Sequence, residues 1–129
     1  YAGCPNAASL GRSIRRHDLF KPAGTNVNFV KVISRDRIRV RTYERGVEDE
    51  TLACGTGSVA SAIIATLNHA PEGFPKKTEK SALARRVFVE TKSGEVLTVY
   101  FKVSKYRVSQ VWLEGEAKIV FEGCYKFDA

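Results

Sequence analysis

The sequence is poor in the residues that build several common frameworks. It has three cysteines, Cys4, Cys54 and Cys124, an odd and sparse set that excludes a disulfide framework and points to a reducing compartment. No two of them are close, and His17 and His69 stand alone, so metal-ligand spacing is absent and each histidine reads as an ordinary surface or helix-end residue. No apolar run is long enough to span a bilayer. Residues 1–20 are polar and basic, with Arg12, Arg15, Arg16 and His17, and do not read as a secretory signal. Low-complexity segments and internal repeats are lacking too. The first residue is Tyr1 rather than methionine, which suggests a processed or truncated piece, and 129 residues predict one domain, 1–129. Together these features predict a cytoplasmic protein, or one of the plastid stroma in a plant.

A formal net charge of +7 admits nucleic acid, a membrane surface or an anionic small molecule as partner. The basic residues are scattered, and the two dense stretches, Arg35–Arg41 and Lys76–Arg86, are not interleaved with the aromatics of a nucleic-acid platform. The charge therefore reads as solvated surface, with neither nucleic acid nor membrane as partner.

What is present centres on Glu50–Leu67, ETLACGTGSVASAIIATL. Cys54 stands directly before Gly55-Thr56-Gly57, and the run from Val59 to Leu67 is apolar on nearly every side, which predicts a buried helix. The first N–H groups of such a helix lack intrahelical partners and, with the helix dipole, favour an anion. They favour a thiolate over a thiol at the same place. Two bland readings stand beside this one. A cysteine in helical surroundings is commonly a small buried hydrophobe. A lone Gly-x-Gly, without the later glycine of a dinucleotide fingerprint or the Gly-Lys-Ser/Thr of a phosphate loop, is weak evidence for a nucleotide.

Around this stretch, Asn6–Leu19 predicts an amphipathic helix with Leu10, Ile14 and Leu19 on its apolar stripe and Pro5 at its start. Val27–Ile33 and Arg37–Tyr43 predict an antiparallel hairpin with Arg37, Arg39 and Arg41 on a wet face. Val47–Glu50 reads as an acidic loop, and Pro71–Leu83 as a mobile, basic surface loop. Strands follow at Arg86–Thr91, Val96–Val103, Val108–Leu113 and Ala117–Phe121, with Leu97, Val99, Phe101 and Val103 facing inward and Trp112 packed in the core or on a strand face. The expected class is α+β: a curved antiparallel sheet, or partial barrel, wrapped around a central buried helix, with one further amphipathic helix.

Three blocks carry a resemblance to a known family: Asn26-Val27-Asn28-Phe29-Val30, Tyr43-Glu44-Arg45-Gly46, and Glu50-Thr51-Leu52-Ala53-Cys54-Gly55-Thr56-Gly57. In order and spacing they resemble the C-terminal half of diaminopimelate epimerase, over about Leu10 to Gly123. Proline racemases share the fold and the cysteine turn without the Glu-Arg-Gly block. The resemblance implies interconversion of LL- and meso-diaminopimelate in lysine and peptidoglycan synthesis, without pyridoxal phosphate or metal. Two cysteines then face the α-carbon from opposite sides, one as thiolate base and one as thiol acid. Cys54 matches one of them, the backbone at Gly55 and Thr56 matches part of the carboxylate cradle, and Asn26, Glu44 and Arg45 match residues that hold the far end of the substrate. Arg45 suits a carboxylate as a bidentate partner, and Glu44 suits an ammonium; the bland alternative for the pair is a strand-end surface ion pair.

The chain departs from the family pattern in four places. Val47–Glu50 is one residue longer than the usual spacing, Pro71–Leu83 is long and basic, and early strands with another substrate-binding asparagine are absent. Nothing matches the second catalytic cysteine, because Cys4 and Cys124 lack the glycine turn. The chain thus reads as an isomerase half-site missing its N-terminal domain, inactive alone and prone to form a homodimer through unpaired edges. The alternatives are a proline-racemase-like isomerase and a non-catalytic basic anion-binding module.

Overall fold

The structure is a computed structural model and describes residues 6–69, 83–104 and 107–127. Cys4, Pro5 and residues 71–82 of the basic loop lie outside these.

In chain order the elements are α1 (Ala7–Arg15), a 3-10 turn (Asp18–Phe20), β1 (Val27–Ser34), β2 (Arg37–Glu44), β3 (Asp49–Thr51), α2 (Gly55–His69), β4 (Leu83–Glu90), β5 (Val96–Ser104) and β6 (Arg107–Glu114). They build an α+β fold on a six-stranded mixed sheet in the order β1-β2-β4-β5-β6, which does not close into a barrel. β2 and β4 run parallel, pairing Arg37–Arg39 with Phe88–Glu90, because the chain between them crosses over through α2. β3 uses the same edge of β2 further along, at Thr42–Glu44, so the expected acidic loop Val47–Glu50 is partly a short strand.

The two α-helices lie on opposite faces of the sheet. Neighbouring residues on a strand point to opposite faces: Thr42 faces α2 and Tyr43 faces α1, where a β-carbon on Gly11 would meet the Tyr43 Cβ at 2.5 Å. This close approach reverses the expected stripe of α1. The small residues Ala7 and Gly11 are buried, whereas Leu10 and Leu19 are 46% and 82% exposed. The helix ends at Arg15, short of Leu19.

The core lies between α2 and the sheet: Ile38, Val40, Val87, Val89, Leu97, Val99, Phe101 and Val103 pack with Ala62. The inward alternation expected for β5 is thus observed. α2 is not buried all round, as expected from its composition. Ser58, Ser61 and Ala62 are buried, but Ile64 is 56% exposed and Ala60 is also exposed, because an open sheet covers one side of a helix only.

Ala117–Phe121 is not a strand. Residues 115–127 have no regular structure, and Ile119, Val120, Phe121, Tyr125 and Phe127 are each at least 80% exposed. Their pattern suits a strand, but strands form by pairing, and β6 pairs with β5 alone among the described residues. Trp112 sits on a strand face opposite Tyr100, outside the core and 71% exposed.

Candidate functional site

The hairpin β1–β2 and the start of α2 meet at an open cleft of about 390 Å³, lined by Gly24, Thr25, Asn26, Asn28, Arg45, Thr56, Gly57 and Ala60. Three of the expected site residues, Asn26, Arg45 and Thr56, therefore share one cavity wall. Cys54 adjoins it. Its half-buried Sγ lies 3.6 Å from Thr56 Oγ1 and 4.0 Å from Asn26 Nδ2, so the sulfur touches two residues of the lining.

The helix start is open toward the same place. The first helical bond runs from the Ser58 amide to the Cys54 carbonyl at 2.9 Å, which makes Cys54 the capping residue. The amides of Gly55, Thr56 and Gly57 precede that bond and have no intrahelical partner. Gly55 itself does not line the cleft. It faces β6, where an added β-carbon would meet Leu113 Cδ2 at 3.1 Å.

Arg45 stands at the first position after β2. Its backbone N–H donates to Asn26 Oδ1 at 2.8 Å, and its guanidinium donates to the Ala23 carbonyl at 3.4 Å. No carboxylate pairs with Arg45 among the described residues, so the surface ion pair with Glu44 is not observed. Glu44 is half-buried and outside the lining; its backbone carbonyl accepts the Glu48 amide at 2.8 Å.

Two features were missed from sequence. Asn28 accepts a bond from the Thr42 hydroxyl at 2.8 Å and presses against Gly57, which has no room for a side chain. The signal was available, since Asn28 stands on β1 two residues after Asn26, the spacing that returns an extended chain to the same face. The second is an ionic frame around the cysteine loop. Glu50, whose side chain is 7% exposed, binds Arg41 at 2.5 and 2.7 Å and Lys92 at 3.2 Å. The bond from Arg41 holds the Glu50 carboxyl below its ordinary value, against the effect of burial and helped by Lys92. The Ser93 amide donates to the Leu52 carbonyl at 3.0 Å, so the loop is tied on both sides. Among the described residues no group of three or more His, Cys, Asp or Glu could hold a metal ion, and no helix is long and apolar enough to cross a membrane.

A family model described as diaminopimelate epimerase matches residues 4–120. A diaminopimelate epimerase of Aquifex aeolicus is 51% identical over 118 residues, which are 92% of this chain and 37% of the relative. Another, from a Hydrogenobaculum species, is 44% identical over 119 residues, again 92% of this chain and 37% of the relative. A third, from Chlorobaculum tepidum, is 42% identical over 113 residues and is covered to 38%. The chain thus spans somewhat over a third of the length of these relatives.

Proposed function

The chain belongs to the diaminopimelate epimerase family, and from that premise we propose that its single domain carries one half of a cofactor-independent epimerase site. The observation that supports this most is that the Cys54 sulfur touches Asn26 and Thr56, two residues of a cleft that Arg45 and Gly57 of the α2 start also line.

The proposed chemistry follows from those groups. Diaminopimelate has an amino-acid head at each end. One carboxylate lies against the amides of Gly55 and Thr56, where the helix start favours negative charge. Arg45 takes the far carboxylate and Glu44 the far ammonium, with Asn26 fixing the Arg45 backbone. The Cys54 thiolate removes the α-hydrogen: the C–H bond breaks, an S–H bond forms, and the electron pair spreads into the adjacent carboxylate. The amides stabilise that growing charge. Inversion is complete when a second acid returns a proton to the opposite face; in the reverse direction Cys54 is the acid. Because Cys54 reaches one face only, the second group comes from the remainder of a protein as long as the relatives.

On this reading residues 1–129 alone are inactive, and the exposed apolar residues between Ile119 and Phe127 dock on the part of the longer relatives that this chain does not span. In the chain alone, unpaired edges and this apolar tail promote self-association as a homodimer. On the same reading the protein serves lysine and peptidoglycan synthesis in the cytoplasm. The Glu-Arg-Gly block favours diaminopimelate over a proline-racemase-like substrate. The test is exchange of the diaminopimelate α-proton with solvent deuterium, by the chain alone and by the intact enzyme, with sedimentation of the chain over a concentration series. Inversion by the chain alone overturns the half-site, and a monomer at high concentration overturns the self-association.

A further inference from the structure

The cleft has two walls that do not touch the core: the loop Ala23–Asn26 and the turn Arg45–Glu48. Both are tied to one ion pair. Glu48 takes a positive φ of 61°, a left-handed backbone that a non-glycine residue adopts uncommonly. In that pose its Oε1 accepts the Gly46 amide at 3.3 Å, next to Arg45, and binds the Arg15 side chain at 2.8 Å (Nε) and 2.7 Å (Nη2). The Tyr43 hydroxyl fixes the Glu48 carbonyl at 2.6 Å. Arg15, at the end of α1, is 17% exposed. Its guanidinium packs on Gly24, where no β-carbon would fit, and its carbonyl accepts the Thr25 amide at 3.4 Å. One pair therefore grips the turn through Glu48 and the loop through Arg15.

We propose that Arg15 and Glu48 are positioning residues for the substrate pocket: their ion pair holds the loop before Asn26 and the turn that carries Arg45, and so sets how far Arg45 stands from the start of α2 and the length of ligand the cleft accepts. The ligand part rests on the reading of the cleft given above. Neither residue lines the cleft, and the Cys54 sulfur touches Asn26 and Thr56 rather than Arg15 or Glu48. The clamp thus acts on ligand grip and not on the thiol.

The test uses Glu48→Gln, which keeps the shape and removes the charge, and Glu48→Asn, which suits a left-handed backbone. Hydrogen exchange needs no ligand: the Thr25 and Arg45 amides are expected to lose protection about tenfold in both variants, with Val99 and Phe101 unchanged. Retained protection at Thr25 and Arg45, or an equal loss in β5, overturns the clamp. In the ligand arm, Kd for meso-diaminopimelate rises about tenfold while the Cys54 alkylation rate holds, since only a charge-assisted contact has been lost. Equal binding by variant and wild type overturns the pocket role. Intact wild-type enzyme that binds no diaminopimelate, where the chain shows the expected exchange pattern, upholds the clamp and removes the substrate reading.

Discussion

Gly57 and Asn28 touch so closely that a β-carbon on Gly57 would stand 2.5 Å from Asn28 Oδ1. The contact seats the first turn of α2 against β1 and fixes where the open amides point. In a helix, alanine is ordinarily favoured over glycine by about 1 kcal/mol. Here the clash outweighs that gain. We predict that Gly57→Ala lowers stability by about 1–3 kcal/mol, in the range of overpacked sites. Thermal unfolding checks it, and a raised midpoint would contradict the close seating.

Arg45→Lys is expected to weaken substrate binding in the intact enzyme by about tenfold or more, because an ammonium cannot reproduce the planar fork. The main-chain bond from Arg45 to Asn26 survives the change, so the fold should not suffer. Saturation kinetics decide it; an unchanged KM removes Arg45 from the site.

Cys54→Ala is expected to abolish stereoinversion in the intact enzyme while circular dichroism and the unfolding midpoint stay near wild type. The side chain is half-buried and makes only long contacts with Asn26 and Thr56. Normal turnover in this variant would sink the assignment.

Glu50 gives a pH prediction. Its carboxyl titrates lower in the folded than in the unfolded chain, chiefly through the bond from Arg41. A depressed folded value adds stability above the unfolded carboxylate value of about 4.3, and that share is lost as pH falls through the folded value. Glu48 moves the same way: burial alone would raise it, but the Gly46 amide and the Arg15 and Arg16 side chains more than offset that. Glu90 is lowered as well, by Arg39 and Arg37. Denaturant melts from pH 7 to pH 3 should show stability falling below about pH 4, with a shallower fall in Glu50→Gln. An identical slope in that variant would free Glu50 from the role.

The sequence was most legible where one element decides its own fate. The alternation of Leu97, Val99, Phe101 and Val103 faces a single core, and all four are buried. The cysteine, glycine and helix order was readable because capping is local. What failed depended on neighbours that sequence does not reveal. Leu10 lost the inner face of α1 to Gly11 because Tyr43 stands directly beneath. Ile119 and Phe121 carry strand chemistry without a strand beside them. At the site, Asn26, Arg45 and Thr56 could be singled out from local motifs and line one cleft, whereas the Glu50–Lys92 bridge and the Glu48 clamp join charges far apart in sequence.

The short parallel contact between β2 and β4 has a consequence for how the domain assembles. β1–β2 is one hairpin and β4–β5–β6 one meander, each built from neighbours in sequence. The two units share three paired residues, Arg37–Arg39 with Phe88–Glu90, riveted by Arg37 and Arg39 on Glu90 at 3.2 and 2.7 Å. Joining them closes a long stretch of chain, an entropic cost that local pairing does not carry. That junction is therefore expected to pair after the hairpin and the meander have formed, and α2, which touches both units, is the latch across it.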